Sequence, residues 1–518
     1  MAQPPGFTAE DTTVTTPPAQ MAARKASLTA NVSWLMFAKT VAFVFNLALP
    51  LLLVRRLSQT EFGIYKQLFL VIGTAVTILP LGFAMSAYYF LPREPDRQQE
   101  TVLNIMIYCT AIGFLACGAF VFWPVLLAII FHQPGLTGYA PLIGVVILLW
   151  IVSQALEIVP IAYGEMKMAS ALIMGVQLTR TSIYLGAVIA FGSVRALIWA
   201  AVVQGIMQTG VLWWYLETRF GAFWRRVDWG LMRSQLSYSV PLGMAGILYT
   251  MQTDLHSYFV SNRLGAAAYA IYGIGTVQLP LMTMLSEATN AVVIPRVCAL
   301  QQADDSRGII ELMARAMRKL AAVYFPAYTV LLVLAPEFIS FLFTKRYLAS
   351  VPVFCINLTL LLLAILLQDP LFRAFVEQRF YLIRLRIAIG ILLAAGLWFG
   401  TARFGLIGAI SAVVLVTAIE RLVMAVRFGR ILGVTRKDIV LLKDIGKLAL
   451  AAAVAGLAAA GARLLMLNSK PLWILAACGV VFGIIYAAVV WASGVLTSEE
   501  LDLIQRKLGV ILPALATK

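Results

Sequence analysis

The chain has 518 residues, 61% hydrophobic and 12% charged, with mean hydropathy +0.89 and formal net charge +16. That balance excludes a soluble globular fold and makes domain counting by length meaningless, because the apolar surface faces lipid. The positive charge has no basic, aromatic-interleaved soluble module to carry it. It reads as basic loops against anionic lipid rather than a nucleic-acid site.

In chain order, residues 1–28 are rich in Pro, Thr and Ala and are expected to form a disordered cytoplasmic tail. They do not read as a secretory signal: the first apolar run, from near Ser33, is too long and lacks a cleavage pattern. Stretches of the ~20 residues a bilayer requires predict fourteen spans, near 33–54, 62–84, 103–131, 140–163, 169–192, 195–216, 237–260, 265–290, 319–344, 349–376, 382–402, 405–428, 446–467 and 472–495. The eighth is broken by Pro280, and the tenth carries Asp369-Pro370. Two stretches, 218–235 with Trp224-Arg225-Arg226 and Trp229, and 497–512, read as interfacial amphipathic connectors. Lysines and arginines are about threefold commoner in alternate loops and the tails, which places both termini in the cytoplasm.

Cys109, Cys117, Cys298, Cys355 and Cys478 have no paired spacing and read as small hydrophobes, not ligands or disulfides. His132 and His256 stand alone, so no metal site is expected, and no cofactor.

A repeat organises the chain. Arg56-Leu57, four residues, then Phe62-Gly63-Ile64-Tyr65 returns as Arg263-Leu264, four residues, then Tyr269-Ala270-Ile271-Tyr272, a shift of 207 positions. Leu91-Pro92-Arg93 returns as Ile294-Pro295-Arg296 with a shift of 203. Six spans separate the copies, and an even number preserves orientation, so the halves are parallel repeats about an axis along the membrane normal. The expected architecture is an all-α polytopic membrane protein. It has an N-lobe at 29–217, a linker at 218–235, a C-lobe at 236–430, a C-terminal helix pair at 431–496 and a cytoplasmic tail at 497–518.

Arg55-Arg56-Leu57-Ser58-Gln59-Thr60-Glu61-Phe62-Gly63-Ile64-Tyr65 after the first span resembles the signature of polysaccharide flippases. So do Ala87-Tyr88-Tyr89-Phe90-Leu91-Pro92-Arg93, the phrase at 263–272, and Gln278-Leu279-Pro280 followed by Ile294-Pro295. That family belongs to the multidrug/oligosaccharidyl-lipid/polysaccharide exporter superfamily, and the resemblance covers about 30–430. Fourteen spans, against the twelve usual for multidrug exporters, favour the lipid-linked glycan side. The resemblance implies alternating access by two lobes that moves an undecaprenyl-diphosphate-linked oligosaccharide across a bacterial inner membrane. A polysaccharide polymerase and export machinery are the partners such a pathway implies.

Charges inside the bilayer are costly and belong in a bundle interior or an aqueous cavity. Lys39, Phe43, Asn46 and Pro50 share one face of the first span, and Lys66 lies in the first turns of the second. Trp150, Ser153 and Glu157 share a face of the fourth, and Gln177, Arg180 and Tyr184 one of the fifth. Lys39, Asn46, Lys66 and Arg180 are the candidate diphosphate-binding set, since Lys supplies point charge and Arg can fork onto two oxygens. Lys66 is also near enough to an end to snorkel, and Glu157 could simply neutralise Arg180.

The second half offers carboxylates instead. Asp254 lies in the seventh span; Thr276, Thr283, Glu287 and Asn290 share a face of the eighth; Asn357, Gln368 and Asp369 lie in the tenth. Glu157, Asp254, Glu287 and Asp369 could bind the H⁺ or Na⁺ that resets a transporter, with Glu287 the leading candidate. Glu420-Arg421 reads as structural. A cation-coupled multidrug exporter shares the lobe plan but predicts an apolar or acidic cavity. A membrane enzyme needs a clustered catalytic constellation, and none is evident.

Overall fold

The computed structural model describes residues 48–466 and 469–495 together with positions 34, 40, 41, 44 and 45. Lys39 and Asn46, the expected tails at 1–28 and 497–518, and the stretch 497–512 lie outside the described residues. Every regular element among the described residues is helical.

Helix α1, described over 48–56, turns at Leu57 and Ser58 into α2, Gln59–Ile78. The turn is written into the repeated phrase. Glu61 N donates to Ser58 Oγ, and Ser58 N donates to the Glu61 carboxylate at 2.9 Å, a capping box that fixes where α2 begins. The first half continues through α3 (Ala87–Arg93), α4 (Gln98–Phe122), α5 (Val125–Phe131), α6 (Ala140–Ser153), α7 (Ala155–Ala162), α8 (Met166–Phe191) and α9 (Val194–Phe220).

The second half opens with α10 (Trp229–Gly275), interrupted at Gly265, whose φ of 80° suits glycine alone. Then come α11 (Pro280–Gln302), α12 (Ser306–Val333), α13 (Ala335–Phe343), α14 (Val351–Ala364), α15 (Asp369–Ala374), α16 (Arg379–Ile431, interrupted at Gly405), α17 (Lys443–Leu465) and α18 (Pro471–Ala492).

Ten helical stretches among the described residues are long and apolar enough to cross a membrane, and the chain is a multi-pass, all-α membrane protein. The difference from the expected fourteen arises in three places. The first span lies largely outside the described residues. The 52-residue stretch Phe380–Ile431 holds two of the expected spans, which meet at the non-helical Gly405. Helices α10 and α11 are too polar for that measure, carrying Asp254, His256, Glu287 and Asn290. Both irregular spans prove to be broken helices: the chain leaves the helix at 276–279 and restarts at Pro280, then leaves it at 365–368 and restarts at Asp369-Pro370. Proline is well placed at a first helical turn, where its missing N–H costs nothing. Non-helical backbone at membrane depth is tolerated where it lines a cavity.

Helix α2 packs along α10, and the two backbones touch near both ends. A Cβ on Gly63 would overlap the Ala266 carbonyl, and one on Gly243 would overlap the Leu81 carbonyl. Small residues permit such approach.

The start of α10 is a packed joint. Asp228 caps α10 by accepting from Leu231 N at 2.9 Å and pairs with Arg97 at 2.8 Å. Gln235, fully buried, accepts from Asn104 Nδ2 at 3.1 Å and donates to Ser86 Oγ at 3.2 Å. Each such satisfied bond contributes about 1 kcal/mol. At the other end of the chain, α17 and α18 pack on each other, and Arg463 on α17 pairs with Glu337 on α13 at 2.9 Å.

Candidate functional site: two polar cavities on either side of the α2–α10 wall

Helices α6 to α9, with the C-terminal end of α2 and the segment 82–88, line a cavity of about 500 Å³. Trp150 and Ser153 reach it from α6, Glu157 from α7, Gln177 and Arg180 from α8, Gln204 and Gln208 from α9. The two faces expected on the fourth and fifth spans thus meet in one space, except for Tyr184, which is fully buried behind it. Arg180 is held by rings: its guanidinium carbon lies 4.8 Å from the Trp150 ring centroid and 5.7 Å from that of Tyr184. Its Nε has no hydrogen-bond partner among the described residues. The walls are braced by neutral bonds. Ser153 Oγ donates to Gln208 Oε1 at 3.0 Å, and Gln154 Nε2 donates to the Val76 carbonyl at 2.7 Å.

The second cavity, about 600 Å³, lies among α10, α11, α14 and α16. Asp254, His256, Thr276, Thr283, Asn357 and Arg421 line it. Asp254 accepts from Thr74 Oγ1 on α2 at 2.9 Å, so this carboxylate ties the halves together. His256 Nδ1 lies 3.0 Å from the Tyr272 hydroxyl. Arg421 donates to the Leu366 carbonyl, which the break between α14 and α15 leaves without a helical partner.

The other candidates lie elsewhere. Lys66 lines neither cavity; instead of snorkelling, it turns inward and donates to the Gly273 carbonyl at 3.0 Å, with its Nζ 5.7 Å from the Tyr269 ring centroid. Glu287 is exposed and lines neither cavity, although its neighbours Thr283 and Ser286 do. Asp369 is exposed and accepts from Asn290 Nδ2 at 3.2 Å.

Sequence reasoning missed His256, Arg421, Gln204 and Gln208 as cavity residues. The amides carried a signal, since Gln204 and Gln208 stand four apart in an apolar span and so share a face. Arg421 carried none, because its pairing with the Leu366 carbonyl, 55 residues away, is tertiary.

The fold is that of the multidrug/oligosaccharidyl-lipid/polysaccharide exporter superfamily. A structure titled lipid II flippase MurJ, in an inward closed conformation, superposes with a TM-score of 0.66 at 13% identity, over 92% of this chain and 99% of that one. An inward-facing multidrug resistance MATE family transporter gives 0.57 at 11% identity, over 76% of this chain and 94% of that one. A superfamily transporter from Pyrococcus furiosus, titled for the reverse polarity of its binding pocket, gives 0.53 at 13% identity, over 77% and 94%. No curated protein matches the chain. The family model described as polysaccharide biosynthesis protein matches residues 52–352, more than half the sequence, and the chain belongs to that family. The family resemblance carried by the Arg56-Leu57 phrase is thereby borne out.

Proposed function

We propose that the protein carries a lipid-linked oligosaccharide, on an undecaprenyl diphosphate, from the inner to the outer leaflet of a bacterial inner membrane for surface or extracellular polysaccharide synthesis. The observation that carries this reading is Arg180, a cavity guanidinium stacked on Trp150. A diphosphate suits it, because a guanidinium forks onto two oxygens. Lys39 and Asn46, on the first span, are assigned to the same anion, and Lys66 to the contact between halves.

The lobes are taken as 29–217 and 236–430, joined by 218–235 and followed by the helix pair 431–496, with both termini cytoplasmic. Alternating access then means that the α2–α10 wall parts at one end at a time. Asp254 is the cavity carboxylate best placed to couple this to H⁺ or Na⁺, ahead of Glu157, Glu287 and Asp369. It also favours a second reading, a cation-coupled small-molecule exporter of the same superfamily.

Depleting the protein in its host separates the two. The flippase reading expects lipid-linked oligosaccharide to accumulate in the cytoplasmic leaflet, protected from a glycosidase added outside. A depleted strain with normal lipid-linked pools would reject it.

A further inference from the structure

The first cavity holds a polar set that neither charge nor packing explains. Gln204 is 1% exposed and lines the cavity, yet neither its Nε2 nor its Oε1 meets a partner. The indole Nε1 of Trp150, in the same lining, is unpartnered too. A buried donor or acceptor left unsatisfied costs about 1–3 kcal/mol, and an apolar side chain of the same shape would avoid the cost. One turn along α9, Gln208 has its oxygen engaged by Ser153, while Gln177 enters the cavity from α8.

An amide offers a donor and an acceptor together, and so does a sugar hydroxyl. Phosphate oxygens only accept, and an apolar ligand does neither. The volume of about 500 Å³ falls within the range of small-molecule sites. Arg180 stacks on the ring of the same Trp150, so the amides and the cation are neighbours.

We infer that Gln204, Gln208, Gln177 and the Trp150 N–H form a subsite for the sugar directly joined to the diphosphate, with Arg180 holding the diphosphate beside it. The inference rests on the flippase reading and adds where, and by what chemistry, the glycan is recognised. The subsite selects a hydroxyl-bearing ring through neutral hydrogen bonds, not through charge.

The test uses the full-length protein in lipid nanodiscs with farnesyl diphosphate, either bare or carrying one hexose or one N-acetylhexosamine. At least one sugar-bearing probe should bind about tenfold or more tightly than the bare one, the discrimination expected of a hydrogen bond or two. Gln204→Met should remove that preference and leave affinity for the bare probe within about twofold, since its charged partner is untouched. It should also hold or raise Tm, because it deletes an orphaned amide; a packing residue would lower it. Gln208→Leu should weaken the sugar-bearing probe alone. The inference is overturned if no sugar-bearing probe is preferred, or if Gln204→Met weakens both probes together. If bare diphosphate also fails to bind, the flippase reading falls as well.

Discussion

Lys66 donates its ammonium to the carbonyl of Gly273, and the two residues stand 207 positions apart, the shift that relates the two copies of the repeated phrase. A lysine of the first copy is thus bonded to its own counterpart in the second. The exchange of Lys for Gly makes room: a Cβ at Gly273 would collide with Lys66 Nζ. The phrase itself is a contact surface, in which Ser58 and Glu61 cap α2 and Gly63 lets it meet Ala266.

This pairing should behave as one unit. Lys66→Met and Gly273→Ala, the latter by pushing the ammonium aside, should each cost about 1 kcal/mol of stability. The double variant should cost little more than either, a coupling read from a double-mutant cycle of detergent denaturation. Strictly additive costs would mean that the hydrogen bond contributes nothing.

Gly63 and Gly243 mark the two ends of the wall. In the proposed orientation, Gly63→Ala should keep the outer end from closing and Gly243→Ala the inner end, because in each case the obstacle is a facing backbone carbonyl. The readout is a cysteine at Thr77, which lines the first cavity, in a background without the native cysteines. A membrane-impermeant thiol reagent added outside should label it at least about tenfold faster in Gly63→Ala than in Gly243→Ala, given the bistability of packed interfaces. Equal labelling in the two variants would remove the gating role.

Asp254 and Glu287 can be told apart by titration. Glutamine and asparagine keep shape and remove the proton equilibrium, and a carrier couples to a cation only through a group that binds it differently in its two states. Asp254→Asn should abolish the dependence of transport on a proton or sodium gradient. Glu287→Gln, altering an exposed residue outside both cavities, should leave that dependence intact. The opposite pattern would return the coupling role to Glu287.

Much of this was legible in the sequence because the bilayer enforces it. Apolar length gave the helices, and the cost of intramembrane charge directed attention to Glu157, Arg180 and Asp254, all of which line cavities. Pro280 and Asp369-Pro370 announced the two breaks. Less was legible where tertiary geometry decides. Helical spacing placed Glu287 on the face of Thr283, and the two do share α11, but the cavity reaches Thr283 and Ser286 and stops short of the glutamate. The inward turn of Lys66 depends on a glycine two hundred residues away, and Arg421 on a carbonyl that only a broken helix exposes.

The most direct test of the central claim is flipping by purified protein in liposomes. A fluorescent lipid-linked oligosaccharide is loaded in both leaflets, and a membrane-impermeant quencher reports how much of the inner pool reaches the outside. The unaltered protein should make that pool fully accessible. Arg180→Ala, expressed and folded at normal levels, should slow its appearance about tenfold or more, the equivalent of roughly 1.4 kcal/mol of lost interaction with the diphosphate. Flipping at an undiminished rate by Arg180→Ala would contradict the account.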